Sequence, residues 1–539
     1  MKKRIIWLSL ALAAGPAGHA FAQGASDALR YSRLQFGGPA RSLGIGGANV
    51  AVGADFGNLT SNPAGLGMYQ KSELHFTPGF GLGQSNASIE GNASGAQNAT
   101  KNSFHVGSAG VALTNRRPDS DQSTNWRGGA FALGFTRVAD FNMASRYDGQ
   151  LTNRLVDGQM VSGDNQSYLA SLRGTAGLAY YQNIRSQGKS GNYNTVDNGL
   201  DGLAYGAYLI NVDRVRVAGG TINDSTTLIT TRQRRGPIGQ SNLTVTQGSA
   251  SQFDLGYGAS YRDRLYIGAG AGIVSSNYKY ESDFTETESD PTTHINSYTL
   301  REARTVSGTG FNARLGFIYR ATDNFRVGAS VQTPTFMRLL DTYNASFTTD
   351  FSDRGTDAVP RSLPIGVSSV DAKTNDYAYR ITTPFRANVG VAYNIGKLGF
   401  ISGEVEYVGY GQARLNSDTQ DANGDNYSFN AENSDIKNRY QNAVNVRVGA
   451  EGRFDVFRVR LGYARYGTPY VEDNSNERGQ NFYTGGLGIR QGNFFIDAAA
   501  VYSTFNQVYT PYTLANKLQP VIKVNNTRFT TSLTAGITF

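Results

Sequence analysis

Over most of its length the chain places apolar side chains at every second position, a period that strands satisfy and helices do not. The last stretch sets Phe529, Thr531, Leu533, Ala535, Ile537 and Phe539 on one face against Thr530, Ser532, Thr534, Gly536 and Thr538 on the other. Earlier, Leu265, Ile267, Ala269, Ala271 and Ile273 oppose Gly268, Gly270 and Gly272. Phe253, Leu255, Tyr257, Ala259 and Tyr261 oppose Asp254, Gly256, Gly258 and Ser260. One face is oily and the other small, polar or charged, as in a strand with lipid on one side. The expected fold is therefore all-β, a transmembrane antiparallel β-barrel. Composition agrees: 31 Tyr and 28 Phe supply rings for both membrane interfaces, and 65 Gly supply turns. The absence of cysteine excludes a disulfide scaffold, a thiolate zinc site and a cysteine nucleophile. After the N-terminus no run approaches the ~20 apolar residues of a membrane helix. The net charge of +8 is spread among acidic neighbours, which gives nucleic acid no basic patch to bind.

The two ends place the barrel. Met1-Lys2-Lys3-Arg4, the apolar Ile5 to Ala14 and Ala20-Phe21-Ala22 form an export signal, expected to be cut after Ala22. The terminal Phe539 resembles the sorting signal that the barrel assembly machinery reads, so a Gram-negative outer membrane is the expected location, with its lipid as a partner. Short connections (Arg262-Asp263, 321–324, 394–397, 454–456, 491–493) alternate with long polar stretches near 284–296, 346–376, 414–438, 467–480 and 507–525. Tight periplasmic turns and long external loops alternate in this way. Counting direction back from the last strand gives 243–261 running down, and counting from the front gives 71–82 up, 103–115 down and 126–138 up. Residues 139–242 are then one large external loop, and the apolar Leu203 to Val212 is helix or hairpin inside it rather than a spanning strand. The total is about fourteen strands, an even number as single-chain bacterial barrels require.

Residues 23–70 precede the first strand and do not read as wall. The Gly/Ala-rich run from Ala40 to Ala54 and Asn62-Pro63-Ala64-Gly65-Leu66 lead at once into Ser72-Glu73-Leu74-His75-Phe76. With Gly308-Thr309-Gly310-Phe311-Asn312-Ala313 and the turn Tyr319 to Asn324, these residues make the chain resemble the FadL/TodX family of outer-membrane transporters for long-chain fatty acids and hydrocarbons. The resemblance implies a short N-terminal hatch (23–70) plugging a barrel (71–539). It also implies capture of a hydrophobic small molecule at external loops, hatch movement, and release sideways through a kinked third strand. Asn62, Pro63, Ala64 and Gly65 are the expected hatch and gating residues: Pro63 fixes φ and biases Asn62 to extended backbone, and the Asn62 amide can bond across the turn. In the third strand Gly128-Gly129 either marks a kink or bulge or merely relieves crowding.

A ligand carboxylate would need a cation in the lumen. Arg314, Arg447, Arg458 and Arg460 are the candidates by alternation, set against the role of pairing with Glu404, Glu406, Glu451 and Asp497 to hold the wall. His75, His105 and His294 are too few for a metal site. No hydrolytic constellation is present, Gly268-x-Gly270-x-Gly272 opens no helix, and Asp418, Asp421, Asn423 and Asp425 lack a closing Glu for calcium. Neither an enzyme nor a bound cofactor is expected. Two other readings remain: a general diffusion porin for small polar solutes, and an adhesion or structural barrel acting through its external loops.

Overall fold

The computed structural model describes residues 24–539 except 91–95, 119, 122, 152–153, 157–158, 162–166, 168–199, 217–224, 232–236, 291–293, 353–364, 373, 419–426, 474–476, 513 and 515–518. The expected export signal, and Asp421, Asn423 and Asp425, lie outside the described residues. Fourteen antiparallel strands close into a barrel. The first seven are β1 (Glu73–Ile89), β2 (Gln97–Arg116), β3 (Trp126–Asp140, resumed as Met143–Leu151), β4 (Ile238–Tyr261), β5 (Leu265–Glu288), β6 (Ile295–Arg320) and β7 (Phe325–Gln332 and Phe336–Phe351). The rest are β8 (Asn375–Thr382 and Arg386–Asn394), β9 (Gly399–Gly409 and Arg414–Ser417), β10 (Asn442–Phe454), β11 (Phe457–Tyr466), β12 (Gln480–Gln491), β13 (Phe494–Tyr509) and β14 (Ile522–Thr538). β14 returns to β1 in a register that runs from Glu73↔Thr538 to Ile89↔Ile522, so the sheet has no free outer edge there.

The lipid band is legible on the outward side chains. On β5 they are apolar from Leu265 to Ile273 and polar from Ser275 onward; on β6 they are apolar from Phe311 to Tyr319 and polar before that. Each band matches the ~9–11 residues that a tilted strand needs to cross hydrocarbon. Yet β5 and β6 are 24 and 26 residues long, so the wall continues well above the lipid. This corrects the expected long loop at 284–296, where the chain remains paired as far as Thr287↔Ser297. Much of 346–376 is likewise strand. Above the membrane the outer face meets water, so the oily alternation ends while the hydrogen-bond ladder does not.

The stretch 139–242 is shortened for the same reason: Met143–Leu151 pairs with Ile238 to Thr246 of β4. Leu203 to Val212 belongs to a helix, Leu200–Gly206, followed by a strand, Ile210–Arg216, whose described pairing is with Ser225–Thr231 and not with the wall. Leu203, Ala204 and Leu209 pack on Phe284, Tyr298 and Phe347, above the lipid band.

The N-terminal segment contains α1 (Ala25–Ser32), α2 (Ala40–Gly44), α3 (Asn58–Ser61) and a 3-10 turn, Pro63–Met68. It lies against the inner face of the barrel, and the inward glycines are what admit it. A Cβ at Gly316 would stand 1.9 Å from Asn62 Oδ1, one at Gly268 2.3 Å from the Pro63 carbonyl carbon, and one at Gly328 2.3 Å from the Val50 carbonyl oxygen. Gly449 and Gly462 make the same room for Ile45 and Gly46, at 2.3 and 2.4 Å. Phe56 fills the space that Gly110 and Gly134 leave on β2 and β3. Close packing of backbone on backbone thus fits the segment to the bore. Gly316→Val or Gly268→Val should dislodge it, at a cost of about 1–3 kcal/mol by overpacking, and expose residues 40–68 to protease. Gly403→Val is the control, since no atom stands within 4 Å of its Cβ position.

Candidate functional site

Asn62 is fully buried in extended backbone (φ −151°, ψ 97°), the geometry that the following proline favours. Its Nδ2 donates to the carbonyls of Val50 (2.7 Å) and Phe317 of β6 (3.1 Å), and its Oδ1 accepts from the Ala64 N–H (3.1 Å). One amide therefore ties two parts of the N-terminal segment to the wall. Gly65 closes the turn with its N–H on the Asn62 carbonyl and has no room for a side chain, because Asn58 occupies it. The structure thus brings Asn62, Pro63, Ala64 and Gly65 together against β5 and β6.

The candidate arginines are engaged. Arg314 bonds Asp254 (2.7 Å) and Gln332 (3.0 Å). Arg447 bonds Glu404, Glu406 (2.6 Å) and the Tyr466 hydroxyl (2.9 Å), and Arg386 joins the same group through Glu406 (2.9 Å). Glu404 then accepts from the Asn49 and Val50 N–H groups at 3.1 and 3.2 Å. Arg460 bonds Asp497 (2.6 Å) and Glu451 (2.8 Å), and Glu451 also holds Arg41 of α2 (3.0 Å). Arg458 sits apart in the β10–β11 turn and donates to the Asp455 and Phe457 carbonyls. Two chains of buried ion pairs therefore run from the wall into the N-terminal segment, where the segment itself takes their last hydrogen bonds.

α1 is anchored by a third group. Asp27, fully buried, receives both terminal nitrogens of Arg304 (2.6 and 3.1 Å), a contact from Arg30 and the Tyr379 hydroxyl (3.2 Å). Arg304 is shared with Asp341 of β7 (2.8 Å). Burial pushes the Asp27 carboxyl up, but Arg304 and Arg30 outweigh it and hold the group below its usual 3.8. Around α1 lies an apolar chamber that includes Val306, Leu339, Tyr379, Tyr410, Phe429 and Ile436.

The third strand breaks, but not where the glycines suggested. Gly128 is bulged (φ +110°), and both glycines allow carbonyls to approach within 2.1 Å of a Cβ position. The ladder nevertheless stays closed there, with Arg116↔Gly128 on one side and Gly129↔Ala259 on the other. Gly128 thus forms a bulge in a wall that stays paired. Pairing between β2 and β3 instead stops at Ser108↔Thr136, and residues 97–107 of β2 have β1 as their described strand partner. Beyond that rung β3 turns inward and crosses the inner face of β1, where Ser85 Oγ donates to the Ala144 carbonyl (2.5 Å).

The turn is built by residues the sequence analysis did not single out. Asp140 accepts from the Asn142 N–H (2.8 Å) and from Arg137 (2.9 Å). Arg528 of β14 clamps the Asp140 and Asn142 carbonyls at 3.1 and 2.6 Å, and Phe141 N–H bonds Gly248 in a bulge of β4. A visible signal was the loss of alternation at Val138-Ala139; Arg528, one position before the last lipid-facing run, offered none. Between this turn and the N-terminal segment lies a small cleft, lined by Phe36, Leu43, His105, Gly107, Val138 and Arg528 among others. The segment borders it directly: Gln35 N–H bonds the Val138 carbonyl at 2.8 Å. His75 lies elsewhere, bonded to Ser108 (2.9 Å) beside Phe56.

No family model matches the chain, and no curated protein matches it. Among solved structures it is similar to a Pseudomonas aeruginosa FadL homologue at 12% identity, over 94% of this chain and 98% of that one, with a TM-score of 0.51. The P. putida toluene transporter TodX aligns over 94% and 99% at 12% identity (TM-score 0.49), and the Ralstonia pickettii toluene transporter TbuX over the same shares at 15% (0.47). The chain has the FadL/TodX fold.

Two outcomes test the anchoring. Asn62→Ala leaves the Val50 and Phe317 carbonyls without their donor and should weaken docking of the segment by about 1–3 kcal/mol, read as faster amide exchange over 45–68. For Asp27, a depressed pKa means the pairing contributes fully above the free carboxylate's pKa and is lost as pH falls through the lower, docked value. Amide protection of α1 should therefore hold from neutral pH to about 4 and fall below it. In Asp27→Asn, protection should be weaker and independent of pH.

Proposed function

We propose that this protein takes up hydrophobic compounds across the outer membrane, with capture above the lipid, passage past a movable N-terminal hatch, and sideways release between β2 and β3. The observation that carries this is the upper part of β2, which among the described residues has no strand partner on its β3 side, beside the inward turn of β3. It stands at lipid height: Phe104 of β2 pairs with the lipid-facing Phe80 of β1 and is 79% exposed. An apolar ligand leaving there moves from a cleft into hydrocarbon without crossing water, which is favourable by ~0.8 kcal/mol for each methylene kept buried. Because Gln35 bonds Val138, movement of the hatch and widening of the cleft are one event.

The cleft joins apolar side chains (Phe36, Leu43, Phe482, Val501) to Arg137 and Arg528, with Asp140 as the opposing carboxylate. An excess cation at the end of an apolar cleft suits an acid with a long acyl chain, so long-chain fatty acids are the preferred ligands. A segment packed on the inner faces of β2 to β12 speaks against the diffusion porin, which needs an open bore.

Gly107→Trp tests the route, since a side chain there starts with its nearest neighbour, Thr77, at 3.5 Å and grows into the cleft. Cells carrying the variant should import a labelled long-chain fatty acid no faster than cells without the protein, while the barrel folds normally and bilayer conductance stays low. Import at the wild-type rate would overturn lateral release. Import by the wild type no faster than by cells lacking it would overturn transport itself.

A further inference from the structure

Arg338 of β7 and Arg380 of β8 are register partners on the outward face of the wall, 67% and 63% exposed. Like charges placed opposite each other across two strands repel, so the pair needs an anion. Asp418 supplies part of it: it accepts from Arg338 Nε and from Arg380 Nε (2.6 Å), and its own side chain is only 7% exposed. The group keeps one net positive charge. Arg338 spends only its Nε on Asp418, so its two Nη groups make no bond among the described residues and face outward.

Height gives this cluster its meaning. Phe311 and Phe336, whose ring centroids are 5.4 Å apart, are register partners at the top of the lipid band, and the next outward rung is Thr309↔Arg338. The guanidinium groups therefore stand one step above the last lipid-facing rings. A lipid headgroup meets its acyl chains at that level, and Phe336 below (45% exposed) gives acyl contact. A guanidinium pair with spare, planar donors suits the oxygens of a phosphate monoester better than a lone ammonium would.

We propose that Arg338 and Arg380 form a site for the phosphate of an outer-leaflet glycolipid, a lipid A-type headgroup, on the outside of the barrel. The inference rests on the outer-membrane location proposed above but not on the transport route. Arg301, also strongly exposed, has its charge matched by Asp283 and does not compete.

The test is native mass spectrometry of the purified, detergent-solubilised full chain. It is titrated with bis-phosphorylated lipid A, with the same lipid after removal of both phosphates, and with inorganic phosphate. The wild type should retain lipid A through detergent exchange. Arg338→Gln/Arg380→Gln should bind it at least tenfold more weakly, and the dephosphorylated lipid should bind wild type and variant alike. Equal binding of lipid A by wild type and double variant would overturn the proposal. So would wild-type binding of dephosphorylated lipid as tight as that of lipid A, or inorganic phosphate displacing lipid A at equal concentration. Both positions are solvent-exposed, so the variant should keep the heat-modifiable migration of a folded barrel. Fatty-acid import is measured on the same variant: import read separately from lipid retention distinguishes failure of this site from failure of the transport reading.

Discussion

Inside hydrocarbon a backbone N–H or C=O has no water to turn to, so the wall must hydrogen-bond to itself all the way round or find other partners where it does not. Around most of the wall the strands pair in this way, whereas β2 and β3 part beyond Ser108↔Thr136. There the freed groups of β3 are taken up from inside. Gln35 N–H satisfies the Val138 carbonyl, Arg528 satisfies Asp140 and Asn142, and Gly248 receives the Phe141 N–H. The gap is thus a built feature on its β3 side. One of those partners belongs to the N-terminal segment, which is the physical basis for linking hatch and exit in the proposed route.

The buried charges of the bore are better understood as positioning than as stabilisation. Removing an ion pair from water costs about as much as the pair returns, whereas leaving one member alone is strongly unfavourable. Arg447 with Glu404, and Arg460 with Glu451, end on groups of the N-terminal segment: the Asn49 and Val50 N–H groups and the Arg41 guanidinium. Lifting the segment would strip those carboxylates of donors, so the network defines a resting position. It also explains why these arginines do not stand open to a ligand, while the cleft beside Arg137 and Arg528 does.

What could be read in advance tracks where one physical contrast persists. Between Leu265 and Ile273 lipid lies on one side and packed polar matter on the other, so the alternation shows and strand, direction and parity follow. From Ser275 to Glu288 the same strand has water outside and the contrast vanishes, so 284–296 looked like loop although pairing continues to Thr287↔Ser297. The inward glycines were visible as the other half of the alternation, but their use was not. Gly316 and Gly268 are bare because Asn62 and Pro63 occupy the space, a contact across more than two hundred residues.

The sequence by itself determined the membrane-facing cylinder, its even strand count and the compact segment ahead of it, because those depend on local period and on turns. Tertiary structure alone decided where the wall opens. Gly128-Gly129 has the residues for a kink, yet pairing on both sides holds it shut. Asp140 to Asn142 opens because Arg528, nearly four hundred positions away, and Gly248 hold the carbonyls and N–H groups that β2 would otherwise have taken.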